Sequence, residues 1–157
     1  MTPTDSNNAG FVHGGTVMKM CDDTAGLVAL RHCGLRVVTA AMDRMTFIEP
    51  VGIGDLLTCV GSVNAAWRSS MEVGVRVEAE SPYSNPGVKR HTSTAYLTMV
   101  ALDENGRPVP IPGLEIESEI EQRRRREAEL RRSNRLAERE QITAGRGTGV
   151  DAAGPTG

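Results

Sequence analysis

The chain has 157 residues, of which 39% are hydrophobic and 24% charged, with a formal net charge of -2. That length suits one domain, and the charge balance gives no footprint for nucleic acid or an anionic membrane. Cys21, Cys33 and Cys59 are odd in number and widely spaced, which excludes a disulfide framework or a CxxC metal site and points to a reducing, cytoplasmic compartment.

Residues Met1 to Val12 are polar and contain glycine, so they read as a loop without the basic-then-apolar order of a signal peptide. Thr16 to His32 is long, apolar and free of proline, which argues for a helix. Its apolar residues point nearly all round, the mark of a buried central helix, and Gly34 suits the C-terminal cap. No apolar run reaches the length of a membrane span.

Four strands are expected next, at Arg36 to Ile48, Asp55 to Ala65, Ser70 to Ala79 and Arg90 to Leu102. The third is the clearest. Met71, Val73, Val75, Val77 and Ala79 share one face, and Glu72, Arg76, Glu78 and Glu80 share a wet one. Asp103 to Gly106 is a turn. With aromatics at 3%, valine, methionine, leucine and alanine must fill the core. The α+β solution is a curved antiparallel sheet wrapped around the central helix, with edges that call for a second copy. Residues 1–114 form this domain. Residues 115–142 form a charged, solvated helix with a thin stripe at Ile116, Ile120 and Leu130. Its i,i+4 pairs are Glu119–Arg123, Glu121–Arg125 and Glu127–Arg131. Residues 143–157 are glycine-rich and expected to be disordered.

Chemistry concentrates in Asn7-Asn8-Ala9-Gly10-Phe11-Val12-His13-Gly14-Gly15 and in Asp22. Gly14 and Gly15 stand where a loop becomes a helix. Their amides are among the unpaired donors of a first turn and can hold an oxygen gaining negative charge. A plain tight turn is the alternative. Asp22 shares a helix face with Met18, Ala25 and Ala29, so its carboxylate is paired, solvated by a cleft, or functional. Asp23, with Lys19 four residues back, reads as an ordinary ion pair. His13 is either an acid–base group or a brace for the loop, and Cys21 reads as a small buried hydrophobe.

The set Asn7, Gly10, His13-Gly14-Gly15, Lys19, Asp22 and Ala25-Gly26 resembles the acyl-CoA thioesterases of the cytosolic acyl-CoA hydrolase branch. The resemblance runs from about Pro3 to Arg139, through Ala29 to Cys33, Val38 to Asp43, Phe47 to Gly54, Ser70 to Val73 and Asp103 to Pro112. It implies a hotdog fold and hydrolysis of a fatty acyl-CoA to free acid and coenzyme A. It also implies homodimers that assemble into hexamers, with sites at the dimer interface. Asn7 and Asp22 match the family's catalytic Asn and Asp, which would meet across that interface. Coenzyme A is part of the substrate, so neither cofactor nor metal is expected. In the family a strand precedes the segment matching Thr2 to Asn7. Here the chain opens at Met1, so that strand is expected to be absent or short, or the natural sequence to be longer.

For the coenzyme A phosphates the candidates are Arg68, Ser69, Ser70, Lys89 and Arg90, chosen by residue type and position at strand ends. Arg123 to Arg126 join them if the charged helix folds over the groove. Two rival readings remain open. One is a hotdog hydratase or dehydratase with His13 and Asp22 as acid and base. The other is a non-catalytic acyl-CoA-binding protein.

Overall fold

The expected central helix is α1, Gly14–Cys33. Gly34 ends it in the left-handed conformation at φ 67, where its N–H bonds to the Leu30 carbonyl. Arg31 and His32 lie in the last turn, at the negative end of the helix dipole. Val17, Cys21, Ala25 and Ala29 recur at one-turn intervals and form the buried stripe. Three of those four side chains are small, so α1 sits close to the sheet. Gly61 completes the fit, because a Cβ there would lie 2.8 Å from Val28 Cγ2.

The computed structural model describes residues 1–147. Four strands follow α1: β1 (Arg36–Phe47), β2 (Leu56–Ala66), β3 (Ser70–Glu80) and β4 (Lys89–Leu102). They form one antiparallel sheet in the order β1-β4-β3-β2, which leaves β1 and β2 as edges. α1 packs against all four strands, giving the expected hotdog arrangement of a sheet curved round a helix. Met71, Val73, Val75, Val77 and Ala79 are buried with Leu97, Met99 and the α1 stripe. Between Thr39 and Arg44, β1 departs twice from regular pairing with β4.

Two expectations about burial are corrected. α1 is not buried all round within one subunit, since Leu27 is 64% and Leu30 46% exposed. The outer face of β3 is not uniformly wet, since Glu72 is fully buried. The cause is α2, Glu119–Gly147, which lies on the sheet face opposite α1. Arg131 donates to both Glu72 carboxylate oxygens, at 2.7 and 3.0 Å, and its guanidinium stacks 3.7 Å over Tyr96. Asn64 Nδ2 donates to the same carboxylate at 3.0 Å. Arg135 pairs with Asp43 of β1, and Arg132 stacks on Trp67.

The start of α2 also has a local cause. Ser118 Oγ accepts the Glu121 N–H at 3.2 Å, and Glu121 accepts the Ser118 N–H at 2.9 Å. This capping box starts the helix after Ser118, later than residue 115. The ion pairs fall in a different register from the expected one, with Arg123 on Glu127 and Arg125 on Glu129. Glu121 is taken by the cap and Arg131 by Glu72. Thr143 to Gly147, expected to be disordered, continue the helix. The rest of the expected disordered segment lies outside the described residues.

Candidate active site

The N-terminal loop is held in place by backbone bonds. Val12 N–H donates to the Val51 carbonyl at 2.9 Å, and His13 N–H to the Asp5 carbonyl at 2.7 Å. Asn7 turns the loop. Its Oδ1 accepts the Ala9 and Phe11 N–H groups at 2.9 and 3.2 Å. That fixes the amide orientation and leaves Nδ2 as a donor with no protein acceptor among the described residues. Asn7 and Gly14 line one cleft with Phe11, Phe47 and Val51.

The first turn of α1 separates the two glycines. His13 is the N-cap, and its Nδ1 accepts the Gly15 N–H at 3.2 Å. The expectation that both glycine amides are open is therefore corrected at Gly15, whose N–H is already used. Gly14 N–H has no acceptor among the described residues, and a Cβ at Gly14 would lie 3.3 Å from the Phe47 ring. His13 thus braces the loop through Nδ1.

Asp22 faces a second cleft, which it lines with Gly26, Leu30, Val38, Thr39 and Met99. Thr39 Oγ1 donates to Asp22 Oδ1 at 2.5 Å, the one hydrogen bond its carboxylate accepts among the described residues. Thr39 was not singled out in the sequence. Its only sequence signal is a hydroxyl at the start of a strand that must pass the helix. Asp23 points outward and pairs with Lys19 at 2.6 Å. Burial pushes the Cys21 thiol up to about 12, so Cys21 holds no thiolate near neutral pH. About 12 Å of helix axis separates Gly14 from Asp22. Within one chain, then, the Asn7–Gly14 donors and the Asp22 carboxylate do not converge on one carbonyl group. About 13.5 Å separates the His13–Asp22 pair that a hydratase would need.

The candidate phosphate donors do not form one cluster. Ser70 pairs with Val100 at one end of β4, and Lys89 pairs with Glu80 at the other. Arg68-Ser69-Ser70 and Lys89-Arg90 are therefore about 30 Å apart along the strands. Arg90 is committed elsewhere. It donates to Glu49 and to the buried Asp55, both at 2.9 Å, and clamps the loop before β2. Arg123 to Arg126 ride on α2, on the sheet face away from Asp22. No group of His, Cys, Asp and Glu that could hold a metal ion occurs among the described residues. Nor is any helix among them long and apolar enough to cross a membrane.

The thioesterase superfamily profile matches residues 9–84. The cytosolic acyl coenzyme A thioester hydrolase of Rattus norvegicus is 36% identical over 138 residues, covering 88% of this chain. The chain spans only 36% of that relative's length. The uncharacterized acyl-CoA thioester hydrolase YkhA of Bacillus subtilis is 41% identical over 76% of this chain and 68% of its own. An apo-hexameric acyl-CoA thioesterase superposes with a TM-score of 0.82 at 37% identity, over 88% of this chain and 87% of that one. The acyl-CoA hydrolase of Staphylococcus aureus, solved with butyryl coenzyme A and coenzyme A, gives a TM-score of 0.82 at 34% identity, over 92% and 87%. Variants of the latter carry alanine in place of an Asn, an Asp and a Thr, at the same intervals as Asn7, Asp22 and Thr39. By fold and by identity, the chain belongs to the hotdog-fold acyl-CoA thioesterase family.

Proposed function

We propose that the protein hydrolyses the thioester of a fatty acyl-CoA, releasing free acid and coenzyme A, at a site completed by a second copy of the chain. The observation that carries this reading is the division of groups between two clefts. A carboxylate with an adjacent hydroxyl faces one, and unpaired amide donors face the other. A partner chain that brings its Asn7 and Gly14 to Asp22 assembles both halves. Relatives named as hexameric thioesterases support pairing of this kind.

In this reading Asn7 Nδ2 and Gly14 N–H receive the carbonyl oxygen as it gains charge. Asp22 takes a proton from a water, whose oxygen attacks the carbonyl carbon. The carbon–sulfur bond then breaks, and the coenzyme A thiolate leaves and takes up a proton. Direct attack by Asp22, through an anhydride that water opens, is the alternative route. Thr39 holds Asp22 by one oxygen and leaves the other free. Arg68, Ser69, Ser70 and Lys89 remain the candidate phosphate donors, with those from opposite strand ends serving different sites. Coenzyme A is part of the substrate and no cofactor is assigned. A cytoplasmic location belongs to the same reading and is supported by the relatives named as cytosolic.

Release of free thiol from a panel of acyl-CoA thioesters tests the reading. Turnover across the panel is expected. Binding of acyl-CoA without thiol release would make the protein a non-catalytic binder. Release without dependence on Asp22 would remove the proposed mechanism.

A further inference from the structure

The middle of α1 holds a glycine that its own subunit does not explain. Glycine inside a helix weakens it relative to alanine, so its presence there calls for a reason. Gly26 has no positive φ that would demand glycine. A Cβ built on it meets no heavy atom within 4 Å. The contrast is Gly61, where the helix itself forbids a side chain. At Gly26 the reason must be something that passes over it.

What lies over Gly26 is the cleft that begins at Asp22. Asp22, Gly26 and Leu30 are spaced one turn apart and form one stripe of α1. Val37 and Val38 of β1 form the opposite wall, and Met99 of β4 lies between them. Charge is confined to Asp22 and Asp23 at one end and Arg36 at the other. In the single chain the cleft is an open groove of about 780 Å³, which a second copy set over Asp22 would close. An apolar lining of this kind suits an alkyl chain and offers nothing to phosphates.

We propose that this cleft takes the acyl chain, and that Gly26 sets the chain length accepted by leaving the path from Asp22 to Leu30 open. The inference rests on the thioesterase reading, which puts the thioester carbonyl at Asp22 but does not fix where the acyl chain runs. The helix supplies a ruler. Gly26 lies about 6 Å beyond Asp22 and Leu30 about 12 Å beyond it, so an extended chain crosses Gly26 after roughly five carbons and reaches Leu30 after roughly ten. Each methylene buried along the way is worth about a fourfold gain in transfer from water.

The test is kcat/KM for acyl-CoA thioesters from acetyl to palmitoyl, measured by thiol release for wild type, Gly26→Ala and Gly26→Leu. Thermal midpoint and sedimentation are followed alongside. For Gly26→Leu the ratio of decanoyl to butyryl kcat/KM should fall by about a hundredfold, the loss of three to four methylenes at about fourfold each. Gly26→Ala should move the ratio severalfold in the same direction. Its thermal midpoint should not drop, because alanine is the better helix former. That variant keeps the test valid if leucine impairs folding. An unchanged ratio, or an equal loss at every chain length, would overturn the proposal. Dissociation of the oligomer with equal loss would also overturn it, and would give Gly26 to a close contact with a partner. Absence of wild-type turnover on every thioester would instead remove the thioesterase reading, and this proposal with it.

Discussion

Asp22 owes its place to the side chains on either side of it. Cys21 and Ala25 anchor that part of α1 on the sheet, and the Thr39 hydroxyl holds one carboxylate oxygen at 2.5 Å. Replacing Asp22 by Asn removes the proposed general base while keeping the shape. The expected loss in kcat is about 10²–10⁴-fold, with the thermal midpoint little changed. Asp23→Asn should stay within a fewfold of wild type, since that carboxylate is an exposed partner of Lys19. Steady-state thiol release on the two variants separates the cases, and equal activity of Asp22→Asn and wild type would sink the assignment. That Asp22 faces a cleft was partly legible in the sequence, where a carboxylate on an apolar helix has to be paired, solvated by a cleft or functional. Thr39 was not, because threonine in a strand is ordinary and the partner that gives it meaning lies on another element. The use of Gly15 N–H by His13 is equally invisible without knowing which way the imidazole turns.

At the scale of elements, the alternation in β3 revealed its inner face directly. The outer face was misread because a glutamate in a period-two pattern looks solvated until something covers it. α2 covers it, and the cover is held by a buried ion pair. Glu72→Ala would leave Arg131 without its carboxylate and should cost about 3 kcal/mol, the lower end for a broken buried pair. Arg131 keeps its stacking on Tyr96 in that variant. Replacing both members by apolar residues, Glu72→Leu with Arg131→Met, should recover part of the loss, with the buried Asn64 amide still lacking its acceptor. Urea unfolding of the single and double variants checks this. A Glu72→Ala chain as stable as wild type would show that α2 is not fastened there. The helix itself was legible from its composition, but its start was not. Ser118 and Glu121 form a capping box within a run of glutamates, where the pattern hides among similar residues.

At the scale of the whole molecule, one chain presents two separate clefts, one with Asp22 and one with Asn7 and Gly14, and an exposed apolar flank on α1. Leu27 and Leu30 are left uncovered, as is the β1 edge that carries Thr39. Such surfaces mark where another chain belongs. The sequence indicated that a partner was needed, through the unpaired edges of the sheet. The division of donors from the carboxylate emerged only from the spacing of Gly14 and Asp22 on one rigid helix. Complementation tests the shared site most directly. Asn7→Ala and Asp22→Asn chains, each nearly inactive alone, are mixed under conditions that exchange subunits, and thiol release from an acyl-CoA is measured. A hybrid dimer contains one site with both residues intact. Activity is expected to return, to at most about one half per hybrid dimer, and to track the fraction of hybrid seen in sedimentation or native mass spectrometry. Proven hybrids that remain as inactive as their parents would contradict a site shared between chains.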